Sequence, residues 1–356
     1  MRRLIALDAR GTPEFVDDLR RAWDAGDAVL PVDPRLPAPA RARVLAAARV
    51  EDPVEPGDAL VVATSGTTGG PKAVVLTHDA VAASALATSA RLGVDAAADR
   101  WLACLPLAHV GGLSVVTRAL HAGTPLTVQD GVDRAAVAEA AAAGCTLVSL
   151  VPAALARVDA APFRVVVLGG SAMPAGLPPQ AVTTYGMTET GSGVVYDGVP
   201  LDGVEVRLVD GEIQLRGPML LRAYRDGTDP RQAGGWFPTG DAGAWDAATG
   251  RLRVHGRTGD LVITGGENVW PDAVERVLGR CPGVADVAVV GRPDPDWGER
   301  VVALVVPAPG AAPPTLAALR DAVKAELPAY AAPREVEIVA ALPRTASGKL
   351  ARTRLG

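Results

Sequence analysis

The run Ala63-Thr64-Ser65-Gly66-Thr67-Thr68-Gly69-Gly70-Pro71-Lys72 gathers glycines, hydroxyls and an ammonium into one short stretch. Glycines let a backbone turn tightly and bring its N–H groups up to an anion, and the hydroxyls and lysine add further donors. That combination suits a polyphosphate. It is not the Walker loop, G-x-x-x-x-G-K-[ST], because a match begun at Gly66 would need glycine at 71 and a hydroxyl at 73, where Pro71 and Ala73 stand. The run therefore points to ATP chemistry outside the P-loop NTPases.

Lysine usage narrows the search for reactive groups. Of 35 basic side chains only Lys72, Lys324 and Lys349 are lysine. A compact ammonium on a flexible stem does what a guanidinium fork cannot, so a lysine kept in an arginine-rich chain is a candidate for chemistry. Lys324 falls in Thr315–Leu327, which reads as an amphipathic helix stopped by Pro328. Lys72 and Lys349 sit in glycine-containing, hydroxyl-rich loops.

Four more segments carry functional residue types. Gly169-Gly170-Ser171 follows the apolar run Arg164–Leu168 and would let backbone approach a flat ring. Thr184-Tyr185-Gly186-Met187-Thr188-Glu189 offers an aromatic plane, a hydroxyl and a carboxylate able to hold Mg²⁺ beside phosphates. Thr239-Gly240-Asp241 offers two carboxylate oxygens for a pair of hydroxyls. Pro343-Arg344-Thr345-Ala346-Ser347-Gly348-Lys349 closes the set. Taken singly, each is equally readable as a polar turn.

These residues need elements to hold them. Ala59–Val62 reads as a buried strand leading into the first loop. Thr77 can cap a helix running to Gly93, another helix covers Arg134–Ala143, and strands follow at Thr146–Val151 and Arg164–Leu168. This alternation predicts a layered α/β core. Short alternating segments over 194–256 predict an antiparallel, β-barrel-like subdomain. After the break at Gly256–Asp260, helices at Pro271–Leu278 and Thr315–Leu327 and strands at Val284–Val290, Arg300–Val306 and Glu335–Val339 predict a small α+β domain. The expected division is 1–258 and 259–356. Residues 1–58, rich in Arg, Ala and Pro, yield only a helix near Phe15–Ala25.

A net charge of −5 and the lack of a basic stripe interleaved with aromatics argue against nucleic acid as a partner. Cys104, Cys145 and Cys281 and the four histidines show no metal-ligand or disulfide spacing, which fits a reducing cytosol. No run approaches a membrane span, and the short apolar stretch after Arg3 is cut by Asp8 and Arg10, so no membrane insertion and a cytoplasmic location are expected.

Together and in this order, T-S-G-T-T-G-x-P-K, Y-G-M-T-E, T-G-D, G-R-x-x-D with G-G-E-N and P, and P-R-T-x-x-G-K resemble the adenylate-forming superfamily of acyl-CoA synthetases, peptide-synthetase adenylation domains and luciferases. The resemblance runs from Ala59 to the end. It implies that a carboxylate attacks the α-phosphate of MgATP to give an acyl-adenylate and pyrophosphate, and that a thiol, usually of coenzyme A, then displaces AMP. It implies that Thr64, Ser65, Gly66, Thr67, Thr68, Gly69 and Lys72 hold the β- and γ-phosphates. Gly169, Gly170 and Ser171 would line the adenine, Tyr185 would stack on it within the Tyr185-Gly186-Met187 segment, and Thr188 would touch the α-phosphate. Glu189 would ligate Mg²⁺, and Asp241 and Arg257 would bind the ribose. Lys349 would bridge the carboxylate and α-phosphate on a mobile C-terminal domain, and His109 would line and gate the acyl pocket, with Thr184, Ser192 and Gly193 as further pocket positions.

Two departures stand out. The pivot position, often Asp or Lys in the family, is Gly259, and Ala73 replaces the glycine that usually follows the loop lysine. Only 58 residues precede Ala59, fewer than is usual in the family, and Tyr196–Val204 follows the Y-G-M-T-E-T motif directly. This compact form is similar to the actinobacterial o-succinylbenzoate–CoA ligases of menaquinone synthesis. The competing readings are a ligase for another aryl or fatty acid, an enzyme loading a carrier protein in trans, and a non-catalytic adenylate-binding module. Glu189 and Lys349 together argue against the last, since binding alone needs neither.

Overall fold

The computed structural model describes residues 2–355 apart from 65–70, 172, 174–175 and 345–349. The chain forms two compact units, residues 1–207 with 214–238, and residues 208–213 with 239–356.

In the first unit, the segment that composition left unread is a piece of the core. Strands Leu4–Asp8 and Ala28–Val32 pair in parallel, Leu4 opposite Ala28, around the helix Pro13–Asp24. That helix buries Phe15, Val16, Leu19 and Ala22, spaced to share one face. All five residues of Ala28–Val32 are buried although Pro31 lies among them, and a proline inside a run argues against a strand when only the sequence is read. The sheet continues through Asp58–Ala63, Ala73–Thr77 and Ala223–Tyr224. Asp58–Ala63 and Ala73–Thr77 are antiparallel with Ala63 opposite Ala73, and the glycine- and hydroxyl-rich run is the stretch of sequence that joins them.

A second sheet of seven strands runs in the order Val199–Pro200, Gly193–Tyr196, Ala181–Gly186, Val165–Leu168, Leu147–Leu150, Trp101–Ala103, Leu126–Val128. Its strands are parallel from Ala181–Gly186 onward, and Gly193–Tyr196 returns antiparallel beside Ala181–Gly186. Helix His78–Arg91 packs against strands of both sheets, and Thr77 caps it by accepting the Ala80 N–H at 3.1 Å. Helix Val110–Ala122, which the sequence reading did not predict, packs on it and on the seven-stranded sheet. This is the layered α/β arrangement expected.

The barrel-like segment is a four-stranded sheet of order Glu205–Val209, Glu212–Arg216, Phe237–Trp245, Leu252–Arg257. The chain passes from one unit to the other within these strands. In the second unit, Val284–Asp294 and Gly298–Pro307 form a hairpin, and Gly298–Pro307 also pairs with Val262–Thr264, itself paired with Glu267–Val269, and with the parallel strand Glu335–Ile338. Helices Pro271–Leu278 and Leu316–Glu326 bury Val274, Leu278, Leu319 and Val323 against Val289 and Val301. Leu342 and Leu355 pack with Ala288, Val302 and Leu304 in a second cluster. Side chains alternate across a strand, so the C-terminal segment covers the sheet face that the helices leave open.

Candidate active site

Ser65, Gly66, Thr67, Thr68, Gly69 and Lys349 lie outside the described residues. The flanks of the first loop are described. Thr64 donates its N–H to the Lys72 carbonyl at 2.7 Å, one bond beyond the Ala63–Ala73 pair. Lys72 is exposed, and its ammonium lies 4.9 Å from the centre of the Tyr224 ring.

Tyr224 also reaches Glu189, donating its hydroxyl to Oε1 at 3.0 Å. Glu189 sits on the single 3₁₀ turn Thr188–Thr190. Thr190 fixes that turn by accepting the Met187 N–H at 2.9 Å and donating to the Ser192 carbonyl at 2.6 Å. The Glu189 carbonyl accepts the Leu221 N–H at 2.7 Å. The phosphate-loop lysine and the carboxylate assigned to magnesium thus share one tyrosine. An oriented carboxylate beside an ammonium fits Mg²⁺ carried with a polyphosphate.

The three pocket positions form one tight group. Tyr185 and Gly186 end the strand Ala181–Gly186, where Gly193 pairs with Gly186 and Tyr196 with Thr184. A methyl on Gly193 would sit 1.7 Å from Thr184 Oγ1, and one on Gly169 would sit 2.8 Å from Thr184 Cγ2. Both positions therefore require glycine for close approach. Thr184 Oγ1 is buried without a hydrogen-bond partner, and a buried hydroxyl left alone costs free energy. Gly170, at φ +85°, and Ser171 follow the strand Val165–Leu168. His109 stands at the N-cap of helix Val110–Ala122, its carbonyl accepting from Leu113 N at 2.9 Å.

The sequence reading missed Arg118, although a charge inside the apolar run Leu113–Leu120 was a usable signal. Arg118 is 3 % exposed on that helix. Nη2 donates to Ser192 Oγ, Nη1 donates to Ser149 Oγ at 3.3 Å, and the guanidinium lies 5.5 Å from the Trp101 ring. Its Nε is buried with no partner. Among the described residues Arg118 makes no ion pair. Desolvating a guanidinium is costly unless an anion answers it, and its described partners here are two neutral hydroxyls and the Trp101 ring. Tyr224 was missed for another reason: it meets Glu189 across 35 residues, on a two-residue strand with no pattern to read.

The second unit holds the other candidates. Asp241 is 7 % exposed and lies within the strand Phe237–Trp245, not in the turn that Gly240-Asp241 suggests on its own. It stands directly opposite Arg257 on the strand Leu252–Arg257, with Arg257 Nε 2.9 Å from Asp241 Oδ1. Arg257 also donates to the Thr239 carbonyl at 2.8 Å. Gly259 lies on the 3₁₀ turn Thr258–Asp260, and a methyl added there would meet nothing within 4 Å.

Comparison with known proteins places this arrangement. The AMP-binding enzyme pattern matches residues 48–269, and the AMP-binding enzyme C-terminal domain pattern matches 273–349. The chain belongs to the AMP-binding enzyme family. It is similar to a probable 2-succinylbenzoate–CoA ligase of Mycobacterium tuberculosis, 41% identical over 337 residues that cover 88% of this chain and 87% of that protein. Among solved structures it is similar to o-succinylbenzoate CoA synthetase of Bacillus subtilis in complex with its acyl-adenylate intermediate. The TM-score is 0.87 at 27% identity, covering 100% of this chain and 88% of that one. The same Bacillus subtilis enzyme with ATP and magnesium ion also gives 0.87 at 27% identity, covering 100% and 90%. Among the described residues no helix is long and apolar enough to cross a membrane.

Proposed function

We propose that this chain converts o-succinylbenzoate to o-succinylbenzoyl-CoA in menaquinone biosynthesis, using MgATP and coenzyme A. The observation that carries the reading is Arg118. A buried guanidinium that makes no ion pair among the described residues suits a substrate with a second, non-reacting carboxylate, and o-succinylbenzoate has two. The similarity to ligases named for that acid supports it.

In the first half-reaction an oxygen of the succinyl carboxylate attacks the α-phosphorus, and pyrophosphate leaves. Residues 64–69 and Lys72 hold the leaving phosphates, and Glu189, oriented by Tyr224, would hold the magnesium of MgATP, which would draw charge from the phosphates. Gly169, Gly170, Ser171 and Tyr185 seat the adenine, Thr188 contacts the α-phosphate, and Asp241 with Arg257 takes the ribose. Lys349 stabilises the charge that builds as phosphorus becomes five-coordinate. In the second half-reaction the coenzyme A thiolate attacks the acyl carbon and AMP leaves. The aryl carboxylate sits against Arg118, Ser192 and Thr184, with His109 at the pocket wall. Residues 1–258 and 259–356 act as the two domains, pivoting at Gly259, and the enzyme works in the cytoplasm.

The test is a panel of carboxylic acids, assayed by acid-dependent exchange of labelled pyrophosphate into ATP and by thioester formation. O-succinylbenzoate is expected to give the highest kcat/KM with free coenzyme A. Turnover of benzoates or fatty acids with o-succinylbenzoate untouched overturns the substrate. Preference for a pantetheinylated carrier protein over coenzyme A overturns the acceptor, and no exchange with any acid overturns the enzyme.

A further inference from the structure

A neck of described residues flanks positions 345–349 in sequence. Arg344 and Leu350 pair as an antiparallel bridge, and Ala351 donates its N–H to the Pro343 carbonyl at 2.8 Å. Lys349 is the residue immediately before Leu350. Whatever fixes the Leu350–Arg352 side of this neck therefore bears on where the lysine can go.

Arg352 fixes that side. Its side chain is only 19% exposed. Nη2 lies 2.7 Å from Asp272 Oδ1 and 2.8 Å from Glu275 Oε2, both on helix Pro271–Leu278. Nε lies 3.2 Å from Asp260 Oδ2, and Nη1 donates to the Val289 carbonyl at 3.1 Å. One fork thus joins the tail to a helix, to the strand Val284–Asp294 and to the residue next to Gly259. A fixed planar fork can hold these directions at once, whereas an ammonium is a point charge. Leu355, packed beside Ala288 and Leu304, anchors the tail beyond it.

We infer that Arg352 is a positioning residue for Lys349, tying the neck of the lysine loop to the linker at Asp260 and to helix Pro271–Leu278. The inference rests on the role of Lys349 in the function proposed above. If the ties serve only stability, their loss damages both half-reactions alike. If they place Lys349, their loss falls on adenylation.

Lys349→Ala is the reference, and Arg352→Lys, which keeps the charge and loses the fork, is the main variant. Arg352→Lys is expected to lower kcat for acid-dependent pyrophosphate exchange about tenfold or more, with KM for acid and ATP within about twofold. Thiolation of supplied acyl-adenylate should stay within about twofold of the parent enzyme. Asp260→Asn severs only the ionic tie to the linker, leaves Asp272 and Glu275 on Arg352, and covers the case in which Arg352→Lys fails to fold. It should lower exchange severalfold and spare thiolation. Equal loss in both half-reactions, or unchanged exchange in either variant, overturns the inference. If Lys349→Ala is inactive in exchange while Arg352→Lys is not, this inference falls alone. If Lys349→Ala keeps exchange activity, the proposed role of Lys349 falls with it.

Discussion

Two side chains absent from the readable motifs carry the chemistry of the proposed site. Arg118 is costly to bury without an anion, so a bound dicarboxylate gains more from it than a monocarboxylate does. Arg118→Met should lower kcat/KM for o-succinylbenzoate by about 10²- to 10³-fold, roughly 3–4 kcal/mol. Steady-state kinetics on the acid panel check this, and an equal loss for monocarboxylic acids would remove Arg118 from substrate recognition. Tyr224 aims Glu189 through one hydroxyl at 3.0 Å and supports Lys72 through its ring. Tyr224→Phe keeps the ring and deletes the hydroxyl, so the apparent magnesium requirement should rise about tenfold with little change for the acid. A magnesium titration at fixed ATP reads the difference.

At the scale of elements, the adjacent strands Ala181–Gly186 and Gly193–Tyr196 place most of the first-unit candidates. Their register puts Thr184 between Gly169 and Gly193 with no room for a methyl on either. Gly193→Ala should therefore displace Thr184, at about 1–3 kcal/mol of overpacking, and lower the melting temperature by several degrees. It should also raise KM for the acid more than KM for ATP. The double variant with Thr184→Ala should recover most of the melting temperature, since it removes Oγ1, the atom in the way. Additive losses in calorimetry would show that the two positions do not meet. How much of an element is legible depends on its periodicity. The helix His78–Arg91, with its Thr77 cap, and the helix Pro271–Leu278 carry local signals. The strand Ala28–Val32 and the helix Val110–Ala122 do not, because Pro31 interrupts the first and the second is buried on nearly every side, so its polar residues mark no solvent face.

Over the whole molecule, folding buries histidines that the proposed chemistry does not use. The Trp23 ring meets His78 at 5.1 Å and His121 at 6.1 Å between centroids, and His121 Nε2 is buried with no partner. Burial holds both imidazoles below the ordinary histidine range. Asp79 and Asp58 pull His78 back up and Arg2 pushes it down, while His78 further lowers His121. A depressed histidine is protonated first in the unfolded chain. Stability present above the unfolded value of 6.5 is therefore lost as pH falls below it. The melting temperature should drop between about pH 7.5 and about pH 5.5, and His121→Gln should flatten that slope. An unchanged slope in the variant would assign the acid sensitivity elsewhere. Asp27, held low by the Arg3 N–H, and Asp33, held low by Arg35, give up their contributions only at more acidic pH, so the two windows separate. The sequence by itself determined the reaction class, because the motifs that carry it are local: each is written within a few consecutive positions. The tertiary structure decided which side chains complete the proposed site, because Arg118 meets Ser192 across 74 residues and Tyr224 meets Glu189 across 35. A short motif records what one loop can hold, whereas a pocket is assembled by strand register and helix packing, which no single stretch of sequence spells out.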